Sequence, residues 1–154
     1  MFIRDILHIL EAIAPPHLQE SYDNAGLIIG HPDQVCTGVL FTLDSTEAVV
    51  REARQKGCNL IVAHHPIVFR GLKRLNGNNY VERTVIEAIR HEVAIYAIHT
   101  NLDNVLYQGV NAKIAEKMGL RDARILAPRP GLTDVGSGLI GSLPEPVSET
   151  RFLQ

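Results

Sequence analysis

Apolar residues recur at helical spacing at the start of the chain, where Ile3, Ile6, Leu7, Leu10 and Ile13 form one stripe that Pro15 and Pro16 terminate. From residue 39 short apolar runs alternate with helical stretches. Residues 39–43, 60–63 and 93–98 read as strands, and residues 46–56 and 80–90 as the helices between them. Asp44 or Ser45 can cap the first of these helices, Glu47 stands three residues after Asp44 as in a capping box, and Gly57 sits where a left-handed helix stop belongs. The alternation predicts βαβ units and an α/β fold: a three-layer-like, mostly parallel sheet with helices packed on it. Right-handed crossovers would bring the carboxyl ends of the three strands to one rim, where open parallel sheets bind ligands.

The flanking segments are less regular. A turn-rich stretch, residues 21–26, precedes a short strand at 27–29, and residues 109–118 read as a helix that Gly119 stops. A short strand is expected at 125–127, and a loop or linker rich in proline and glycine over 129–138. Ser148 and Glu149 suit the start of a helix whose apolar stripe, Phe152 and Leu153, is cut off at Gln154, as expected of part of a longer chain. The expected division is an incomplete α/β domain over 1–127, then a linker and the start of a truncated segment over 128–154.

With 154 residues the chain has the size of one ordinary domain, able to bury roughly two thirds of its unfolded surface. Its 45% hydrophobic and 21% charged content and mean hydropathy of +0.04 describe a globular chain, neither disordered nor membrane-spanning. A net charge of -2 supplies no broad basic field, so nucleic acid is not an expected partner. Arg4, Asp5, His8 and Glu11 interrupt the first apolar segment as they would not in a secretion signal. Two cysteines, Cys36 and Cys58, make no disulfide framework or metal spacing, and point to a reducing, cytoplasmic setting.

The rim is where chemistry gathers. Asp44 ends the first strand, His64 and His65 the second, and His99 to Asp103 the third, so imidazoles and a carboxylate converge as a transition metal requires. Neighbouring residues on a regular strand point to opposite faces. His64 and His65 therefore share one ion only if Pro66 breaks the strand; otherwise each holds its own, with Asp103 between two ions. His99 suits a ligand, a substrate contact or, by preference, a residue that orients a ligand. Arg70, Lys73 and Arg74 form a basic loop beside the histidines that suits an anionic substrate. Asp23 and Asn24 are expected to cap their own turn, although Asp23 can approach the rim, and His8, His17, His31 and His91 read as ordinary histidines. No general acid or base stands out.

The segments Ser21-Tyr22-Asp23-Asn24-Ala25-Gly26-Leu27, Ile61-Val62-Ala63-His64-His65-Pro66 and Ala97-Ile98-His99-Thr100-Asn101-Leu102-Asp103-Asn104 occur in this order over nearly the whole chain. Together they resemble the Nif-three-like (YbgI-type) family of dinuclear-metal proteins labelled GTP cyclohydrolase I type 2 homologues. The resemblance implies an α/β fold, two divalent ions, and a ring, commonly a hexamer, with the metal sites facing an internal cavity. It implies His64, His65 and Asp103 as ligands. The family completes its site with a C-terminal His and Glu that have no counterpart here, so this chain is expected to hold one ion or none where the full-length protein holds two. Zinc, iron, manganese or nickel would each suit these donors.

Two functions compete on this reading. One is a metal-dependent hydrolase acting on a nucleotide or other anionic or cyclic-amide substrate. The other is a non-catalytic metal-binding scaffold or regulatory protein that acts through partner proteins.

Overall fold

A computed structural model describes residues 1–153; the expected break of the last apolar stripe at Gln154 lies outside them. The chain divides into two compact units that meet between Asn101 and Leu102. The first opens with helix α1 (Ile3–Ile13), whose stripe buries Ile3 and Leu7. The carboxylate of Asp5 accepts the Phe2 N–H at its start. A single 3-10 turn, Pro16–Leu18, follows the proline pair.

The remaining elements of this unit are strands β1 (Gly26–Ile29) and β2 (Val39–Thr42), helix α2 (Glu47–Gln55), strand β3 (Leu60–Ala63), helix α3 (Tyr80–Arg90) and strand β4 (Ala94–Ala97). The sheet order is β1-β4-β3-β2. As the alternation predicts, β2, β3 and β4 run parallel, while β1 adds an antiparallel edge beside β4. Every residue of β3 and β4 is buried, which explains why both read as continuous apolar runs rather than alternating ones.

Successive residues of β3 point to opposite faces. Ile61 and Ala63 join Val50 and Ala53 of α2 and Val85 and Ala88 of α3 in one apolar cluster. Tyr96 of β4 is fully buried; burial, and then the charge of Glu11 on α1, push its hydroxyl up to about 12.

Gly57 holds φ +70° two residues beyond the end of α2, directly after the capping residue Lys56, with nothing within 4 Å of where a side chain would start. Only backbone strain opposes a side chain there. Gly57→Ala is therefore expected to cost about 1 kcal/mol, read as a lower urea midpoint with an unchanged slope.

Helix α4 (Thr100–Asp103), absent from the sequence expectation, follows β4 and crosses the boundary between the units. The second unit holds α5 (Val110–Lys117), β5 (Arg121–Pro128), β6 (Gly136–Ser142) and α6 (Glu149–Phe152). β5 and β6 form an antiparallel pair, so strand structure begins earlier than residue 125 and reclaims Gly136 to Gly138 from the expected loop. Residues 127 and 128, where the division was expected, lie inside β5. The Ser148 hydroxyl accepts the Arg151 N–H and caps α6, in accord with the sequence.

Candidate metal centre

The register of the sheet builds the rim. Thr42 pairs with Ala63 and Ala63 with Ala97, so the segments after β2, β3 and β4 leave the sheet at one level. Backbone bonds from His64 N–H to Thr42 O and from His65 N–H to Leu43 O carry the pairing two residues past β3. The chain then bends ahead of Pro66, which has no N–H to continue a ladder. That break lets adjacent histidines approach one another, with ring centroids 5.0 Å apart.

His99 joins them, its ring 5.2 Å from His64 and 5.5 Å from His65. One ring nitrogen from each of the three lies within 4.8 Å of the other two. Around a single zinc ion at 2.0–2.1 Å, such nitrogens would stand about 3.4 Å apart. The cluster is thus of the right chemistry, and small side-chain adjustments would close it on one ion.

Each ring is held through Nδ1. His64 Nδ1 lies 3.0 Å from the Ile98 carbonyl, His65 Nδ1 2.8 Å from Asp44 Oδ1, and His99 Nδ1 2.8 Å from Asp23 Oδ1. A carbonyl or carboxylate oxygen only accepts, so each Nδ1 carries the proton and Nε2 carries the coordinating lone pair. Oxygen partners of this kind orient histidine ligands in metal sites. This three-imidazole set fits a divalent transition metal.

Asp23 is the most buried of these partners, with a side chain 0% exposed. Burial pushes its carboxyl upward, but bonds from the His99 ring, the Thr100 hydroxyl and the N–H groups of Asn24 and Thr100 outweigh it. The net effect holds Asp23 below its ordinary 3.8. It stays ionised at neutral pH and accepts from His99.

Several assignments made from the sequence are corrected here. Thr46, not Asp44 or Ser45, caps α2, its hydroxyl accepting the Val49 N–H. Asp44 is thereby released to His65. Asn24 does not spend its side chain on its own turn: Nδ2 donates to the Val68 carbonyl and ties the β1 approach to the segment after the histidines. Asp23 does cap Asn24 N–H, yet its main partners are His99 and Thr100, which sequence spacing could not reveal. Arg70 and Lys73 are exposed. Asp103 belongs to the second unit, where its carbonyl accepts from Asn111.

The Duf34/NIF3 (NGG1p interacting factor 3) family description matches residues 1–154. A Clostridium perfringens protein named GTP cyclohydrolase 1 type 2 homolog is 35% identical over 93% of this chain and 54% of its own length. A Staphylococcus aureus protein of the same name is 43% identical over 82% of this chain and 34% of its own. Among solved structures, a Bacillus cereus protein related to NIF3 superposes with a TM-score of 0.79 at 40% identity, covering 84% of this chain and 36% of that one. A Staphylococcus aureus hypothetical protein gives 0.78 at 41%, with 84% and 42% covered. The chain thus spans between a third and about half of the curated relatives' length.

Proposed function

The chain belongs to the Duf34/NIF3 family, and from that premise we propose that it carries the metal-binding half of a metal-dependent hydrolase. The observation behind this is the convergence of His64, His65 and His99, each with Nδ1 committed to an oxygen. Zinc, iron, manganese and nickel all suit imidazole donors. Asp103 is a further ligand by resemblance, and the remaining ligands of a two-ion centre would come from the rest of the full-length protein. Assembly into a hexameric ring and a cytoplasmic location are part of the same proposal.

A divalent ion held there supplies Lewis acidity toward a carbonyl or phosphoryl oxygen and acidifies water for attack. The protein's own part is orientation. Asp44 and Asp23 keep His65 and His99 in one tautomer, and the Asn24 bond to Val68 anchors the segment beside the site. The substrate class is a nucleotide or another anionic or cyclic-amide compound, as the relatives' name also suggests. Arg70 and Lys73 are the first two cations after the histidine pair in the chain.

Hydrolysis of nucleotides, phosphoesters and cyclic amides by the full-length protein, assayed with added zinc, manganese or iron, tests the proposal. Turnover lost in His64→Ala with the fold intact is the expected result. Metal bound without turnover of any compound would leave a scaffold acting through partner proteins, and metal not bound at all would overturn the proposal.

A further inference from the structure

Beside the three imidazoles the first unit contains a pocket of about 450 Å3, within the usual range for small-molecule sites. Its lining includes Asp44, Ser45, Pro66, Phe69, Tyr80 and His99. We propose that this pocket receives a flat, uncharged heteroaromatic amide ring, stacked on Phe69 and Tyr80, with its ring carbonyl at Ser45 and its ring N–H at Asp44. The proposal rests on the metal-site reading above and narrows its substrate class to the part that enters this pocket and the groups that hold it.

Three observations carry it. First, Phe69 is 46% exposed and Tyr80 56% exposed although both line the pocket, which offers aromatic surface to a planar guest. Second, Ser45 is only 3% exposed, and its hydroxyl has no hydrogen-bond partner among the described residues. A buried hydroxyl without a partner is costly; its oxygen is closed to solvent as it stands, and a rotation of the side chain toward the pocket would present it to a ligand carbonyl. Third, Asp44 spends one carboxylate oxygen on His65 and retains the other as an acceptor.

A donor and an acceptor on consecutive residues match the C=O and N–H edge of a cyclic amide. A simple ketone or a plain hydrocarbon ring would answer one of them at most. Among the described residues no lysine or arginine lines the pocket, so a phosphate placed inside would meet Asp44 without a compensating cation. Any anionic group on the substrate therefore extends out of the pocket, and the ring is the part that enters.

Uracil, hypoxanthine, 1,3-dimethyluracil and inorganic phosphate, titrated into the 15N-labelled chain with and without zinc, provide the test. Uracil and hypoxanthine are expected to shift the amides of Asp44, Ser45 and Tyr80. Methylation of both ring nitrogens removes the N–H and should weaken binding about tenfold. Tyr80→Ala or Phe69→Ala should weaken uracil binding several-fold, and Ser45→Ala about fivefold, all with zinc affinity unchanged.

Equal binding of uracil and its dimethyl form would overturn the proposal. So would phosphate shifting these amides in place of the rings, unaltered uracil binding in the Tyr80 and Phe69 variants, or no ring binding at millimolar concentration. Failure of the parent chain to bind zinc would instead overturn the metal reading, and ring binding to the zinc-free sample is read separately.

Discussion

Zinc is expected to bind the His64→Ala protein about 100-fold more weakly than the parent chain, with similar losses for His65→Ala and His99→Ala; that factor corresponds to about 2.7 kcal/mol. The expectation follows from the equivalence of the three rings. Each is within reach of the other two, and each has Nδ1 on an oxygen acceptor. A residue that only orients a ligand costs about 10–100-fold when removed, so Asp44→Ala, which unlocks His65, should fall at about 10-fold. Competition against a chromophoric chelator gives the affinities, and circular dichroism verifies the fold of each variant. A His99→Ala loss no larger than that of Asp44→Ala would place His99 behind the ligands. Asp103→Ala in the same series tests the carboxylate that family resemblance implies.

The histidine pair and its place at a strand end were legible because β3 is buried on both faces and its apolar run stops abruptly at His64. Helix α3 was legible to the residue, since its stripe and its acidic and basic ends agree. Asp44 was visible at the rim but was given the wrong task. Asp, Ser and Thr can all cap a helix, and only the backbone shows that Thr46 does so. The β5–β6 pair was mostly hidden because six of the eight β5 residues are exposed, and Ala123 and Ile125 alone are too few for a clear alternation.

Asp23 was the least legible part of the site. It comes from a turn before β1 and meets His99 only because β1 pairs antiparallel with β4, with Gly26 opposite Ala97. The repeating βαβ pattern carries no information about that edge strand, whose pairing needs no crossover helix. The metal-competent residues are thus written in the repeat, and the group that orients one of them is written in the exception to it.

Replacing that group supplies the second large effect. Asp23→Asn keeps the shape but exchanges one acceptor oxygen for an NH2 group, which must face a donor: the His99 Nδ1–H or the Thr100 N–H and hydroxyl. With no water-exposed route for this side chain, the variant is expected to be about 2–4 kcal/mol less stable at neutral pH. Its pH profile should change as well. The folded Asp23 carboxyl titrates below its ordinary 3.8. Its stabilising contribution is therefore complete above that value and is lost as pH falls through the folded value. The parent chain should lose this increment on acidification below 3.8, and Asp23→Asn should lack that part of the slope. Urea unfolding in EDTA, at neutral pH and in acid, measures both effects without interference from bound metal. Equal stability of the two proteins at neutral pH would refute the buried Asp23–His99 pairing. The same variant lets His99 move its proton to Nε2, where the lone pair is needed, so zinc affinity should drop about 10–100-fold in parallel.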